Sequence, residues 1–392
     1  MKQKTYGNLF LMCALIAFAA VCGCRGEKKV DPAKFKATDA VWTFFRGPAP
    51  GSTGVAQDTI TPPLGLLWKV KVAGDINAGL RSSPVVDTAR VYVGSLDGNV
   101  YAFDRTSGKQ AWKFQTGGSV WAPALVADGL VYIGSEGGSF YALDAATGSV
   151  RDSFESAEKP VIHGGAAVTD SLVIFGANDN YVYALDRKDL SRIVWHTRTD
   201  DWVESTPTII NGAAYAGSND GRLYKFNLET GKITWSFTTA GPVYSTPVVS
   251  GGAVYFTSWD GHAYAVRDKD KKLLWKTRVD EQASGSLALK NGILYGGTMF
   301  PDGILFALDA KTGKMLHSFK TKGGFDAAPV ISGDTLYIGS FDDNFYAVNI
   351  NNFTTKWKRP MRGTPRATCA AAGGVLFVAD LEGRLLAFSP IK

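Results

Sequence analysis

Nine side chains able to stack, pair with charge or ligate recur at one place in a repeating pattern: Arg81, Trp121, His163, Trp202, Glu204, Tyr244, Phe325, Asp326 and Arg366. Gln282 takes the matching place in the one remaining unit. Each precedes the first short strand of its unit by a few residues, so the set is predicted to gather as a ring at one mouth of a central channel. The indoles of Trp121 or Trp202 can stack on a planar molecule. Arg81 or Arg366 can grip carboxylates, and Glu204 or Asp326 can offer hard oxygens to Ca²⁺. The same mixture of aromatics and Arg is what protein-binding surfaces use. Ordinary loop variety around a water-filled channel is the plain alternative.

Other chemistry-bearing residues read as structural. His163, His196, His262 and His317 fall in different units, so they are not predicted to converge on a metal. Asp-Gly pairs at 97, 220, 260 and 302, with Asp342-Asp343-Asn344, sit between two strands of each unit, where a hairpin turn explains them better than Ca²⁺ loops. Asp104, Asp144, Asp186 and Asp309 recur at the next turn and read the same way. No Gly-rich phosphate loop precedes a helix and no nucleophile elbow appears. No residue is nominated as catalytic, and no metal or cofactor site is expected on this reading.

These candidates are positioned by the repeat. Residues 83–114, SPVVDTARVYVGSLDGNVYAFDRTSGKQAWKF, read as four short strands and three turns. β-branched and aromatic residues in short alternating runs, punctuated by Gly, favour strand over helix. Copies follow at a period of about forty residues, which is propeller spacing. The eighth copy, ending at Leu385-Leu386-Ala387-Phe388, lacks a Trp-bearing fourth strand, and such a strand stands alone at Leu66-Leu67-Trp68-Lys69-Val70. We therefore expect an all-β, eight-bladed propeller with four antiparallel strands per blade. The N-terminal strand (66–72) around Trp68 would complete the last blade and close the ring. Trp68, Trp112, Trp195, Trp235, Trp275 and Trp357 are expected to dock neighbouring blades, with Asp152 and His317 in the matching places of the other two units.

Units of the form V-Y-V-G-S-x-D-G-x-V-Y-A-x-D-x-x-T-G-K-x-x-W resemble the pyrroloquinoline-quinone (PQQ) type of propeller repeat, and Thr-Gly-Lys-x-x-Trp resembles that family's tryptophan-docking motif. The resemblance covers residues 66–392. It has two branches, the quinoprotein dehydrogenases and the BamB-like outer-membrane lipoproteins that scaffold the β-barrel assembly machine. Trp42-Thr43-Phe44-Phe45-Arg46-Gly47-Pro48 also resembles the lead-in of BamB-like propellers. The BamB-like branch implies a scaffold that binds envelope proteins, with that machine as the candidate partner, as a monomer within a complex. The dehydrogenase branch implies PQQ with Ca²⁺ in the ring, but the chain outside its leader has no adjacent cysteine pair and lacks long roofing insertions. A propeller that binds a small solute or polysaccharide is a third reading.

Residues 1–23 read as a lipoprotein signal. Lys2 and Lys4 precede an apolar run of thirteen, residues 9–21, too short to span a bilayer. Val21-Cys22-Gly23-Cys24 resembles a lipobox with Cys24 as acceptor. Arg25 rather than Asp follows, which by the family rule favours the outer membrane, periplasmic face. Residues 24–41 read as the lipidated cysteine and a flexible tether, and 42–392 as the propeller. Only Cys369 then remains as a thiol, a small buried hydrophobe by its Ala neighbours, so no internal disulfide is expected. Net charge falls from +6 to +4 once Lys2 and Lys4 leave, with no basic stripe, which argues against nucleic acid.

Overall fold

In the computed structural model, residues 28–31, 37–48, 51, 53–72, 79–299 and 303–391 are described. The stretch read as a lipoprotein signal, and Cys24, lie outside them. Eight four-stranded antiparallel sheets form the ring, and among the described residues there is no helix. Blade 1 runs through strands Val85–Val86, Arg90–Gly94, Asn99–Asp104 and Gln110–Gln115. Blades 2 to 7 repeat that meander, with first strands starting at Leu125, Ala167, Thr208, Val248, Ala288 and Val330. The first strands touch one another around the ring and are innermost.

Blade 8 is built from both ends of the chain. Ala370–Ala372, Val375–Ala379 and Arg384–Pro390 supply three strands, and Leu64–Lys71 is the fourth. Leu66 faces Phe388, Trp68 faces Ala387 and Val70 faces Leu385 across an antiparallel ladder with a bulge after Leu66.

The indoles pack as expected for five of the six tryptophans. Trp68, Trp112, Trp195, Trp235 and Trp275 are buried, and each Nε1–H donates to a carbonyl in the turn of the next blade, at Arg105, Ala145, Leu228, Asp268 and Ala310, over 2.8–3.1 Å. The turn must come close. At Gly148, where φ is +75°, a Cβ would lie 2.6 Å from the Trp112 indole. Trp357 differs: it is half-buried and meets Phe388 edge-on, because the blade it faces closes through Leu64–Lys71 rather than through such a turn. Asp152 and His317 do occupy the tryptophan register, opposite Ala142 and Ala307. Asp152 docks by accepting the Leu190 N–H at 2.7 Å, and His317 stacks on Phe353.

The hairpins between the second and third strands, Asp-Gly or not, carry a second bond that pattern alone did not suggest. Asp97, Asp179, Asp220, Asp260 and Asp342 each accept a tyrosine hydroxyl four residues on, from Tyr101, Tyr183, Tyr224, Tyr264 and Tyr346, at 2.5–2.7 Å. Burial and the carboxylate both raise these tyrosines' pKa values, so they remain donors. Cys369 is fully buried, and burial pushes its thiol pKa up.

The channel is not simply water-filled. Residues 42–48 and 53–56 lie along the free edges of the inner strands. Trp42 exchanges hydrogen bonds with Val86, Thr43 O accepts from Val126 N, Thr53 O from Leu289 N and Gly54 O from Ile331 N. Arg46, buried in the channel, donates to the Leu287 and Pro247 carbonyls at 2.6 and 3.2 Å. Burial lowers its pKa to about 9, so it stays charged at neutral pH. Within the stretch read as a tether, Lys29 bridges Leu66 in parallel, extending blade 8, and Thr38 O accepts from Arg105 at 3.0 Å.

Candidate functional site

Register decides which loop residue reaches the axial mouth. Each inner strand is preceded by a residue that enters the interblade core: Leu80, Val120, Ile162, Val203, Val243, Ala283, Phe325 and Pro365, all buried. The next residue points the other way, because side chains alternate along extended backbone. The eight residues so placed are Arg81, Trp121, His163, Glu204, Tyr244, Ser284, Asp326 and Arg366, and all eight line one bowl of about 370 Å³ with Phe45 and Trp259.

Seven of the nine predicted residues therefore meet in the bowl. Phe325 does not: it is 0% exposed and packs on Gly297 in the core, one residue out of phase. Trp202 stands two residues before Glu204, 47% exposed, and does not line the bowl. In blade 6 the bowl residue is Ser284; Gln282, two residues earlier like Trp202, does not line the bowl. Phe45, Trp259, Ser284 and Met299 were not foreseen. The signal that could have found Ser284 is the apolar–polar pair repeated as Leu80-Arg81, Val120-Trp121 and Val243-Tyr244. Phe45 enters from the channel segment, outside any repeat.

The bowl residues are engaged with each other. The Arg81 guanidinium sits 3.9 Å from the Trp121 ring, and His163 stacks on that indole at 4.8 Å. His163 Nδ1 meets Glu204 Oε1 at 2.7 Å and its Nε2 meets Glu136 Oε1 at 2.9 Å. Both nitrogens can donate only in the imidazolium. Burial opposes that charge, but the bonds to Glu204 and Glu136 outweigh it and raise the His163 pKa. Burial likewise opposes the Glu204 charge, and donation from His163 and Asn219 holds its pKa below the ordinary value. Across the bowl, Arg366 pairs with Asp326 at 2.8 Å and Arg81 approaches the same oxygen at 3.6 Å. Burial, then the neighbouring Arg366, lowers the Arg81 pKa. Tyr244 and Trp259 meet edge-on at 5.0 Å.

A pH dependence follows. With its folded pKa raised, His163 contributes stability that is complete below its ordinary pKa of 6.5 and is lost as pH rises through the folded value. The melting temperature of His163→Gln should fall furthest below that of the parent at about pH 6, and the gap should shrink as pH rises through the folded value. A constant difference across that range would show that the imidazole is held neutral.

The groups that could hold a quinone and Ca²⁺ are engaged with one another in this arrangement. Trp121 lies between Arg81 of blade 1 and His163 of blade 3, so its ring is already covered. Arg81 and Arg366 both turn to Asp326. Glu204 and Asp326, in blades 4 and 7, each serve a different cation. Among the described residues no three His, Cys, Asp or Glu groups converge as a metal site.

A family model described as outer membrane protein assembly factor BamB matches residues 65–189, 151–245 and 212–392. The curated BamB of Moranella endobia (strain PCIT) is 25% identical over 157 residues, 36% of this chain and 40% of that protein, well under two thirds of its length. Among solved structures, BamB from Moraxella catarrhalis superposes with a TM-score of 0.69 at 18% identity, over 83% of this chain and 99% of that one. A quinohemoprotein alcohol dehydrogenase from Comamonas testosteroni superposes with a TM-score of 0.78 at 14% identity, over 91% of this chain and 82% of that one. At these identities the structural likenesses show the fold alone.

Proposed function

The chain belongs to the family of the outer membrane protein assembly factor BamB, and from that premise we propose that it is a lipid-anchored periplasmic scaffold. It holds other envelope proteins at the rim of its axial bowl, in the service of outer-membrane β-barrel assembly. The observation that carries this is the bowl itself: eight equivalent positions filled with Arg, Trp, His, Glu, Tyr, Ser, Asp and Arg, bonded mainly to one another. Such a surface is preorganised and rich in the side chains that dominate protein interfaces. Trp202, half-exposed on the same loops, adds an apolar anchor beside it. No catalytic residue and no cofactor form part of this reading, and the lipid anchor is assigned to Cys24 at the outer membrane.

Recovery of assembly-machine subunits with the membrane-anchored protein is the test. The joint Trp202→Ala, Tyr244→Ala variant should recover them at least about thirtyfold less well, as loss of one interface hot spot of ~2 kcal/mol would give. Unchanged recovery would remove the bowl rim from the interface. A quinone chromophore in the purified protein, with Ca²⁺-dependent dye reduction, would replace the scaffold with a dehydrogenase.

A further inference from the structure

A second surface lies away from the bowl, at the outer seam between blades 7 and 8. There the blade 8 strand Leu64–Lys71 runs beside the end of the blade 7 strand Thr355–Pro360, enclosing a groove of about 480 Å³. Five cations line it, Lys69, Lys71, Arg359, Arg362 and Arg384, with no acidic side chain among the lining residues. The rest of the wall is apolar, from Val70, Pro360, Met361 and Leu386. Arg384 is held at 2.9 Å by Asp380, which is itself buried behind the groove. Arg359 is laid over the Phe388 ring at 4.9 Å, so its charge is placed rather than left to wander. A net charge of only +6 over the whole chain makes this concentration local.

The chain's N-terminal part approaches the same blade. Lys29 bridges Leu66 on the strand that supplies Lys69 and Lys71, and Lys28 and Lys29 are exposed. Cys24 is four residues from Lys28, a reach of at most about 14 Å. An acyl group on Cys24 would therefore bring blade 8 close to the bilayer.

We propose that this seam is a binding site for the phosphate headgroups of anionic lipid, and that it lays this side of the propeller on the membrane surface. Cations recognise the phosphate, and the apolar wall accepts the glycerol and upper acyl carbons. The orientation rests on the anchor reading of Cys24; the charge of the groove does not.

The test uses the mature chain carrying Cys24→Ser, so that acylation contributes nothing. It should co-sediment with phosphatidylcholine vesicles containing phosphatidylglycerol and stay behind with phosphatidylcholine alone. Lys71→Gln with Arg362→Gln should weaken that binding about 25-fold, at roughly fivefold for each charge. Lys232→Gln with Lys314→Gln, on exposed turns of blades 4 and 6, should leave it unchanged. Unchanged melting temperatures would show that both pairs fold. No binding to the anionic vesicles, an equal loss in the control pair, or full competition by inorganic phosphate would overturn the proposal. Absence of acyl groups on native Cys24, with vesicle binding intact, would sink the anchor reading and leave this one standing.

Discussion

Replacing Trp235 with alanine should destabilise the protein by about 3–5 kcal/mol. The indole is buried in the seam between blades 4 and 5, tilted against Tyr215, with its N–H on the Asp268 carbonyl at 2.8 Å. Its removal opens a cavity that neither sheet can close, because each is held by its own ladder. Trp235→Phe separates the terms: most of the ring stays, the Asp268 carbonyl loses its donor, and the cost should be about 1 kcal/mol. The internal control is His317, which occupies the same register in blade 6 but is exposed; His317→Ala should cost less than about 0.5 kcal/mol. The midpoint of urea unfolding at an unchanged slope is the measurement. A Trp235→Ala loss below about 1 kcal/mol would show that interblade adhesion resides elsewhere.

That contrast also shows why the fold was legible. Strand, turn and docking positions are local and repeat eight times, so Ala142 opposite Asp152 and Ala265 opposite Trp275 follow from counting along the unit. The bowl was legible only to within one or two residues. Phe325 and Asp326 are adjacent, and assigning both to the mouth ignored the alternation that buries one and exposes the other. Ser284 was passed over because a serine carries no chemical signal of its own. The contents of the channel were not legible at all. Trp42, Thr43, Thr53 and Gly54 reach four different blades through backbone carbonyls and amides, and Arg46 reaches backbone carbonyls of blades 5 and 6 through its guanidinium, contacts with no period and no partner side chain to betray them.

The bowl and the channel segment are mechanically one unit. Phe45 lines the bowl, while the next residue, Arg46, bonds to blades 5 and 6. On the proposed scaffold reading, a partner seated at the rim would meet a floor fixed by a buried cation, which cannot leave its two carbonyls without returning to water. Rigidity of this kind lowers the ordering cost of association, and it suits a scaffold that must present one shape to its partners.

Leu66→Asp should have the other large effect, about 4 kcal/mol or more, because it places an unpaired carboxylate where the two ends of the chain are sealed together. Leu66 is buried, faces Phe388 across the closing ladder, and on its other edge exchanges backbone hydrogen bonds with Lys28 and Val30. The other seven blades are single continuous meanders, whereas blade 8 is held by pairing between residues more than three hundred positions apart. Losing that strand leaves the Arg384–Pro390 edge bare and the ring open. Damage at Trp235 should weaken one seam and leave both ends protected. Damage at Leu66 should expose both ends together, with new limited-proteolysis cuts before residue 72 and after residue 361 at temperatures where the parent resists. Cuts at only one end would mean that the N-terminal strand is an ornament on a ring already closed without it.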